Sequence, residues 1–366
     1  SIRHTGASAD AITLDNSGNA TFPANVTCSG TATGFASRFQ RNLIINGAMN
    51  VAQRGTSSTS SGYHTVDRFR FQYGGTEENP TQAQSSLSSS DTPYSFGFRK
   101  SYKITNGNQT GGADDNNLVY IRHQIESQNI ATSGWNYTDS NSFITLQFWV
   151  KASVAQDYHF HARAVEGTGQ LYPMEMTLSA NTWTKIVRTI PGNSNISSDN
   201  DNSDGFHINF HLYTGTNYTS SSANNNQWQE YNGSIFGGKD QASTWYTTND
   251  ATFEITGVQL EVGDSASDFE HISPDQELLL CQRYFYKGNS ASNYHASGYG
   301  NSPGSNSLIQ LPQTVEMRAA PAFTHGSITN GSDAGSAHGT QVSYIYLSNS
   351  ALNSARISEY TLDAEL

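Results

Sequence analysis

Apolar residues in this chain recur at every second position, and almost nowhere at every third or fourth. Ile144, Leu146, Phe148 and Val150 share one face of a run whose other face is Thr145, Gln147 and Trp149. Tyr158, Phe160, Ala162 and Ala164 alternate with His159, His161 and Arg163, and Phe206, Ile208, Phe210 and Leu212 alternate with His207, Asn209, His211 and Tyr213. Successive side chains of an extended strand point to opposite faces, so each run predicts a half-buried strand. No helical periodicity of ten residues interrupts them, which removes the crossover helices a parallel sheet needs. An antiparallel two-sheet sandwich remains, and a jelly roll is its expected form.

Composition agrees. Hydrophobic residues make up 35% of the 366 positions and charged residues only 14%, so Asn, Ser, Thr and Gly must cover much of the surface, as on the outer faces of strands. Aromatic content of 11% argues for a folded, ring-rich core. A net charge of −12 with scattered Lys and Arg leaves no footprint for nucleic acid. Cys28 and Cys281 fall in different regions, make no disulfide framework, and read as buried small apolar groups. There is no run of eighteen apolar residues and no basic-then-apolar leader, so neither membrane insertion nor a secretion signal is expected. The first residue is not Met, which suggests a fragment or a processed chain. Sequons at Asn25, Asn136 and Asn217 are what chance supplies in so Asn-, Ser- and Thr-rich a chain.

Two segments bracket the sandwich. In RNLIINGAMNVAQRG (41–55), Leu43 and Ile45 alternate with Ile44 before Asn46-Gly47, which predicts a strand ending in a tight turn. In FEITGVQLEVGDSASDFEHISPDQELLLCQRYF (253–285), Phe253 and Ile255 share one parity while Val258, Leu260 and Val262 share the other, so a bulge is expected at Gly257. Ser273-Pro274-Asp275-Gln276 then reads as a capping box opening one short helix.

These segments, with YHTVDRFRF (63–71) and ELLLCQRYFY (277–286), resemble the receptor-binding jelly-roll regions of bacteriophage tail fibres. The resemblance extends to Trp183-Thr184-Lys185, Ile190-Pro191-Gly192, Asn226-Gln227-Trp228, Met317-Arg318-Ala319-Ala320-Pro321 and Ala364-Glu365-Leu366, and so covers most of residues 41–366. It implies a virion protein of the extracellular tail fibre that binds a host cell-surface glycan or protein receptor and joins other phage tail proteins through its N-terminal side.

Three regions follow. Residues 1–40 carry short β-units, in which Ile12 and Leu14, then Ala20 and Phe22, then Val26 and Cys28 alternate around turns at 16–19 and 23–25. Strands this short cannot bury an apolar face within one chain, so a fibrous homotrimeric shaft with a shared interior is expected, against the plainer reading of a frayed arm. Residues 41–285 form the sandwich, and residues 286–366 a smaller β-sandwich tip with strands at 342–347 and 357–362 and exposed loops at 297–307 and 326–339.

Three constellations invite chemistry. Asp199, Asp201 and Asp204 lie in an acidic loop that offers oxygens to calcium, although Gly205 falls one place late for an EF-hand and no Glu ends the loop; a solvated loop is the preferred reading, and no other cofactor is implied. His159 and His161, about 7 Å apart on a strand, could grip a metal or be merely polar, whereas His207 and His211, about 13 Å apart, could not chelate one ion. Tyr294, His295, Tyr299, Tyr344 and Tyr346 suit the packing of sugar rings, or equally the packing of one chain on another. No P-loop, nucleophile elbow or His-Glu-x-x-His motif appears, and no repeat of the kind that builds β-helical depolymerases. The expected function is therefore a non-enzymatic adhesin. The alternatives are a polysaccharide-degrading, tailspike-like hydrolase, whose two carboxylates need no proximity in sequence, and a purely structural fibre segment.

Overall fold

A computed structural model describes residues 13–14, 20–21, 41–289, 296–299, 304–350 and 354–366. The chain divides into two compact units, Ser1–Phe39 and Gln40–Leu366. In the first, β1 (Thr13–Leu14) pairs antiparallel with β2 (Ala20–Thr21), Leu14 opposite Ala20. The third short strand expected at Val26 and Cys28 lies outside the described residues.

The second unit opens with β3 (Ser57–Ser58), β4 (Phe69–Gly74), β5 (Thr81–Ser86), β6 (Lys100–Thr105), β7 (Leu118–Glu126) and β8 (Phe143–Ala152). It continues with β9 (Gln156–Ala164), β10 (Gln170–Leu178), β11 (Thr184–Pro191), β12 (Asp204–Thr214), β13 (Gln229–Glu230) and β14 (Thr252–Val262). These make two six-stranded sheets, ordered β13-β10-β9-β12-β7-β4 and β11-β8-β14-β6-β5-β3. Every pairing is antiparallel, so the expected β-sandwich of the jelly-roll kind is present.

The alternating runs supply the core. Phe148 of one sheet meets Phe160 and Phe210 of the other edge-on, with ring centroids 5.3 and 4.9 Å apart. Burying such a ring removes roughly 150–250 Å² from water, on the order of 4–6 kcal/mol before entropy is counted. The bulge falls where the parity changes: the β14–β8 register slips between Thr256 and Gln259, and Gly257 takes φ 64°. A Cβ there would come within 2.6 Å of the Phe98 ring. The capping box also forms, with Ser273 accepting from the Gln276 N–H at the start of the helix Pro274–Gln282.

In segment 41–55 the tight turn expected at Asn46-Gly47 is present, closed by the Met49 N–H on Asn46 O, but the strand expected before it is not. Its asparagine side chains take the hydrogen bonds that a neighbouring strand would. Asn42 Oδ1 accepts from the Leu260 N–H at 3.0 Å, while Asn46, with φ 61°, donates to Val51 O and Asp67 O and accepts from the Val51 N–H. Side-chain amides that satisfy the local backbone compete with a ladder, which is why alternation misleads here. Gly47 lies so close to β14 that a Cβ would sit 2.0 Å from the Val258 carbonyl oxygen. Gly47→Ala is expected to destabilise by about 2–4 kcal/mol in urea unfolding, since both sides of the contact are backbone and cannot turn away.

The remaining strands are β15 (Phe285–Asn289), β16 (Ala296–Tyr299), β17 (Asn306–Leu311), β18 (Ala322–His325), β19 (Ile328–Thr329), β20 (Gly331–His338), β21 (Ser343–Asn349), β22 (Ser354–Ile357) and β23 (Glu359–Asp363). They form three small sheets, β15-β23-β18, β16-β22-β19 and β17-β21-β20, over a core that includes Ile309, Leu311, Ile345, Leu347, Tyr360 and Leu362. The Gly- and Ser-rich stretch 326–339 is not the loop expected: β20 pairs along β21 with a bulge between Asp333 and Gly335. Backbone ladder bonds, rather than side-chain propensity, hold it there. The single closing strand expected at 357–362 is likewise two strands, separated at Ser358.

Residues of the bracketing segments meet again where the C-terminal sheets join the sandwich. Arg68, fully buried, donates to Glu365 and to Gln124 O at 2.7 Å and lies 3.4 Å over the Tyr284 ring. Arg54 lies 3.5 Å over Phe285 and reaches Glu365 at 3.3 Å, Asp363 at 3.1 Å and Asp67 at 3.7 Å. Burial pushes the Asp67 carboxyl up to about 6, against the lowering pull of Arg54. Arg283 grips the buried Glu126 through two bonds of 2.9 and 2.8 Å, and Arg318 Nε donates to Ala364 O. Cys281 is a free, buried thiol beside this cluster, as expected of a small apolar group, and Cys28 lies outside the described residues.

Candidate functional site

The inward faces of β9 and β12 are largely apolar, so His159, His161, Arg163, His207, Asn209 and His211 emerge on the outer face of the first sheet. Register then decides which of them meet. His159 stands opposite His211, His161 opposite Asn209, and Arg163 opposite His207. One strand further, Tyr120, Arg122 and Gln124 of β7 stand opposite His211, Asn209 and His207, and Arg70 of β4 stands opposite Arg122.

Half of this face is a closed hydrogen-bond chain. Arg122 Nε donates to Asn209 Oδ1 at 2.8 Å, and the Asn209 amide nitrogen is 2.5 Å from His161 Nε2. His161 Nδ1 is 3.0 Å from His211 Nε2, and His211 Nδ1 is 2.9 Å from the Thr214 hydroxyl. One assignment of protons satisfies every step: Asn209 donates to His161 Nε2, His161 Nδ1–H to His211 Nε2, and His211 Nδ1–H to Thr214. It requires both imidazoles to be neutral. Burial, the leading cause, agrees, holding His161 well below the ordinary range and His211 down to about 3. Phe236 closes this half, with its ring 5.0 Å from those of Tyr120 and His211 and 5.6 Å from that of His161.

The other half is incompletely satisfied. His207 Nε2 meets Asp204 Oδ2 at 2.5 Å, Gln124 donates to the same oxygen at 2.7 Å, and the Tyr63 hydroxyl donates to Gln124 at 3.1 Å. Burial brings His207 down to about 4 despite the Asp204 carboxylate. Four buried atoms on this face lack any hydrogen-bond partner among the described residues: His207 Nδ1, Asp204 Oδ1, Arg163 Nε and His159 Nδ1. Unmet buried polar atoms are costly, and water or a polar ligand can satisfy them. Arg70, Arg122, Arg163, Tyr63 and Tyr231 are half-buried there, the Arg163 guanidinium stacked 3.5 Å over Tyr231.

The residues singled out from sequence are dispersed. Asp201 caps its own turn through the Ser203 N–H, the Asp199 N–H donates to Glu166, and Asp204 points to His207 and Gln124, so the three carboxylates do not converge. Among the described residues no group of three or more His, Cys, Asp or Glu side chains is placed to hold a metal. His159 and His161 do not act as a pair; each looks across to a neighbouring strand, and both are buried rather than exposed. Tyr344 and Tyr346 share the outer face of β21 with Gln310 and the exposed Leu308 opposite them. Tyr299 is in β16, in a different sheet, and Tyr294 and His295 lie outside the described residues. The alternation placed the histidines on an outer face, but only the β9–β12–β7 order reveals that Asn209, Arg122 and Gln124 complete it.

No protein-family model and no curated protein matches the chain. Solved structures give faint likenesses. The enzymatically active domain of tailspike protein 4 of bacteriophage CBA120 superposes with a TM-score of 0.33 at 10% identity, over 61% of this chain and 22% of that one. The chain thus spans about a fifth of the tailspike chain's length. A family 4 carbohydrate-binding module gives 0.31 at 12% identity, over 60% and 99%. The xylan-binding domain of a family 22 module gives 0.29 at 9% identity, over 59% and 99%. Likenesses this weak assign no activity to the chain.

Proposed function

We propose that this chain is the receptor-binding part of a homotrimeric bacteriophage tail fibre, a non-enzymatic adhesin that holds a host cell-surface glycan on the outer face of β9, β12, β7 and β4. The observation that carries the reading is the face itself: buried Asn, Gln and His in fixed orientation, half-buried arginines among them, and unmet polar atoms of His207, Asp204 and Arg163 at a tyrosine-flanked end, with that of His159 at the other. Sugar hydroxyls both donate and accept, so planar amide, imidazole and guanidinium groups in a rigid array suit them, while ring faces pack on tyrosine. Weak single sites are sufficient when three chains act together.

Incubation with host cells and isolated host polysaccharide tests this. The adhesin labels cells and releases no reducing ends, whereas new reducing ends would favour the hydrolase. Binding of neither would favour a purely structural segment. The assembly is tested separately by light scattering, which should give roughly three times the chain mass of 39.8 kDa.

A further inference from the structure

Charge on the polar face identifies the ligand more narrowly. The chain carries 31 Asp and Glu against 19 Lys and Arg, so cations are the minority charge on it and a face that gathers several of them is distinctive. Three arginines without a carboxylate partner lie on this one face. Arg70 and Arg122 are direct cross-strand partners on β4 and β7, an arrangement in which like charges destabilise a sheet. Arg163 stands two strands away from Arg122 and feels its charge, which helps burial pull the guanidinium below its ordinary range.

None of the three forms an ion pair among the described residues, unlike Arg41, Arg54, Arg68 and Arg283; Arg99, Arg188 and Arg318 also lack one, but they donate to backbone carbonyls singly and elsewhere. Their partners are neutral: Arg122 Nε donates to the Asn209 amide, Arg70 Nε is 2.6 Å from the Gln72 amide oxygen when that amide faces it, and Arg163 lies on Tyr231 with its Nε unmet. Asp204, bonded to His207 and Gln124, is a carboxylate whose charge acts on Arg122 and Arg163 and offsets one of the three positive charges; the histidines of the face are held neutral, so two positive charges stay uncompensated. Two cross-strand guanidinium groups with neutral partners, and a third on the same face, suit an oxyanion, which arginine grips through paired N–H donors.

We infer that the glycan held on this face is acidic, and that a carboxylate, sulfate or phosphate substituent docks at the cross-strand pair Arg70 and Arg122, with a second acidic substituent at Arg163, two strands away. This inference rests on the glycan-binding reading of the same face and adds the charge of the ligand to it.

The experiment is an array in which each neutral oligosaccharide backbone is printed beside the same backbone carrying uronate, sialate, sulfate or phosphate groups, probed with the whole chain. Expected is binding confined to acidic members, the pattern among them telling carboxylate from sulfate from phosphate. Raising NaCl from 50 to 500 mM should weaken it about tenfold or more, because the Debye length falls severalfold. Arg122→Gln and Arg163→Gln should each lower affinity for the acidic member about tenfold while leaving the thermal transition in place. Equal binding of neutral and acidic members would overturn the inference and leave glycan binding standing. Failure of the folded chain to bind any member would remove both.

Discussion

Glu365→Ala should cost about 3–5 kcal/mol of unfolding free energy, the largest single-site loss expected in the chain. Arg68 has no exposed surface, and its guanidinium is shared between Glu365 and the Gln124 carbonyl over the Tyr284 ring. Removing the carboxylate does not return Arg68 to water; it leaves a buried charge with one neutral acceptor, and Arg54 loses a partner at 3.3 Å at the same time. Asp363→Ala is the control. That carboxylate also pairs with Arg54, at 3.1 Å, but is 42% exposed, and exposed pairs contribute about 1 kcal/mol or less. Urea unfolding of both variants separates the cases, and a Glu365→Ala loss under 1 kcal/mol would mean that the ionic cluster does not hold the C-terminal segment to the sandwich.

Acidification from pH 7 to pH 5 should destabilise the fold through the buried histidines. His207 and His211 are brought down to about 4 and about 3 by burial, so in this window the unfolded chain takes up protons near its ordinary value of about 6.5 while the folded chain does not. Stability is therefore complete above about pH 7 and falls as pH drops below 6.5, by about 2 kcal/mol for each of the two at pH 5. Asp67 acts in the opposite direction. Its folded carboxyl is raised to about 6, so it binds its proton first in the folded state and returns about 1 kcal/mol over the same window. The net loss is roughly 3 kcal/mol, to which His161 adds with the same sign. Unfolding free energy measured at half-unit steps of pH checks this, and His211→Gln should flatten the curve between pH 6.5 and 5. A profile that rises on acidification would show that the imidazoles are charged in the fold and that the proton order along Asn209, His161 and His211 is wrong.

The strands of the sandwich are legible because burying one face of a sheet forces period-two alternation, and the bulge at Gly257 is legible because one extra residue must reverse parity. What escapes is whatever depends on a partner distant in sequence. Leu43 to Ile45 alternate like a strand, yet only isolated backbone bonds reach β14, with the Asn42 side chain taking the Leu260 N–H and Asn46 closing the turn. The Gly- and Ser-rich residues of β20 look like a loop, but they are paired by backbone to β21. His159 and His161 read as a pair because they are two residues apart, whereas register sets His161 beside Asn209 and His211. The tail-fibre resemblance rests largely on residues such as Asp67, Arg68, Arg283 and Glu365, which join the C-terminal sheets to the sandwich and are scaffold; the face proposed to bind lies on the strands between them.

One comparison bears most directly on the place of binding. Affinity for host surface polysaccharide should be measured by calorimetry for the unchanged chain, for a variant of the sandwich face carrying Arg122→Ala and Arg163→Ala, and for a variant of the C-terminal sheet carrying Tyr344→Ala and Tyr346→Ala. The account predicts loss of at least a hundredfold in the first variant and little change in the second, with both still folding cooperatively. Binding that survives in the first and disappears in the second would contradict it, and would move the receptor site to β21.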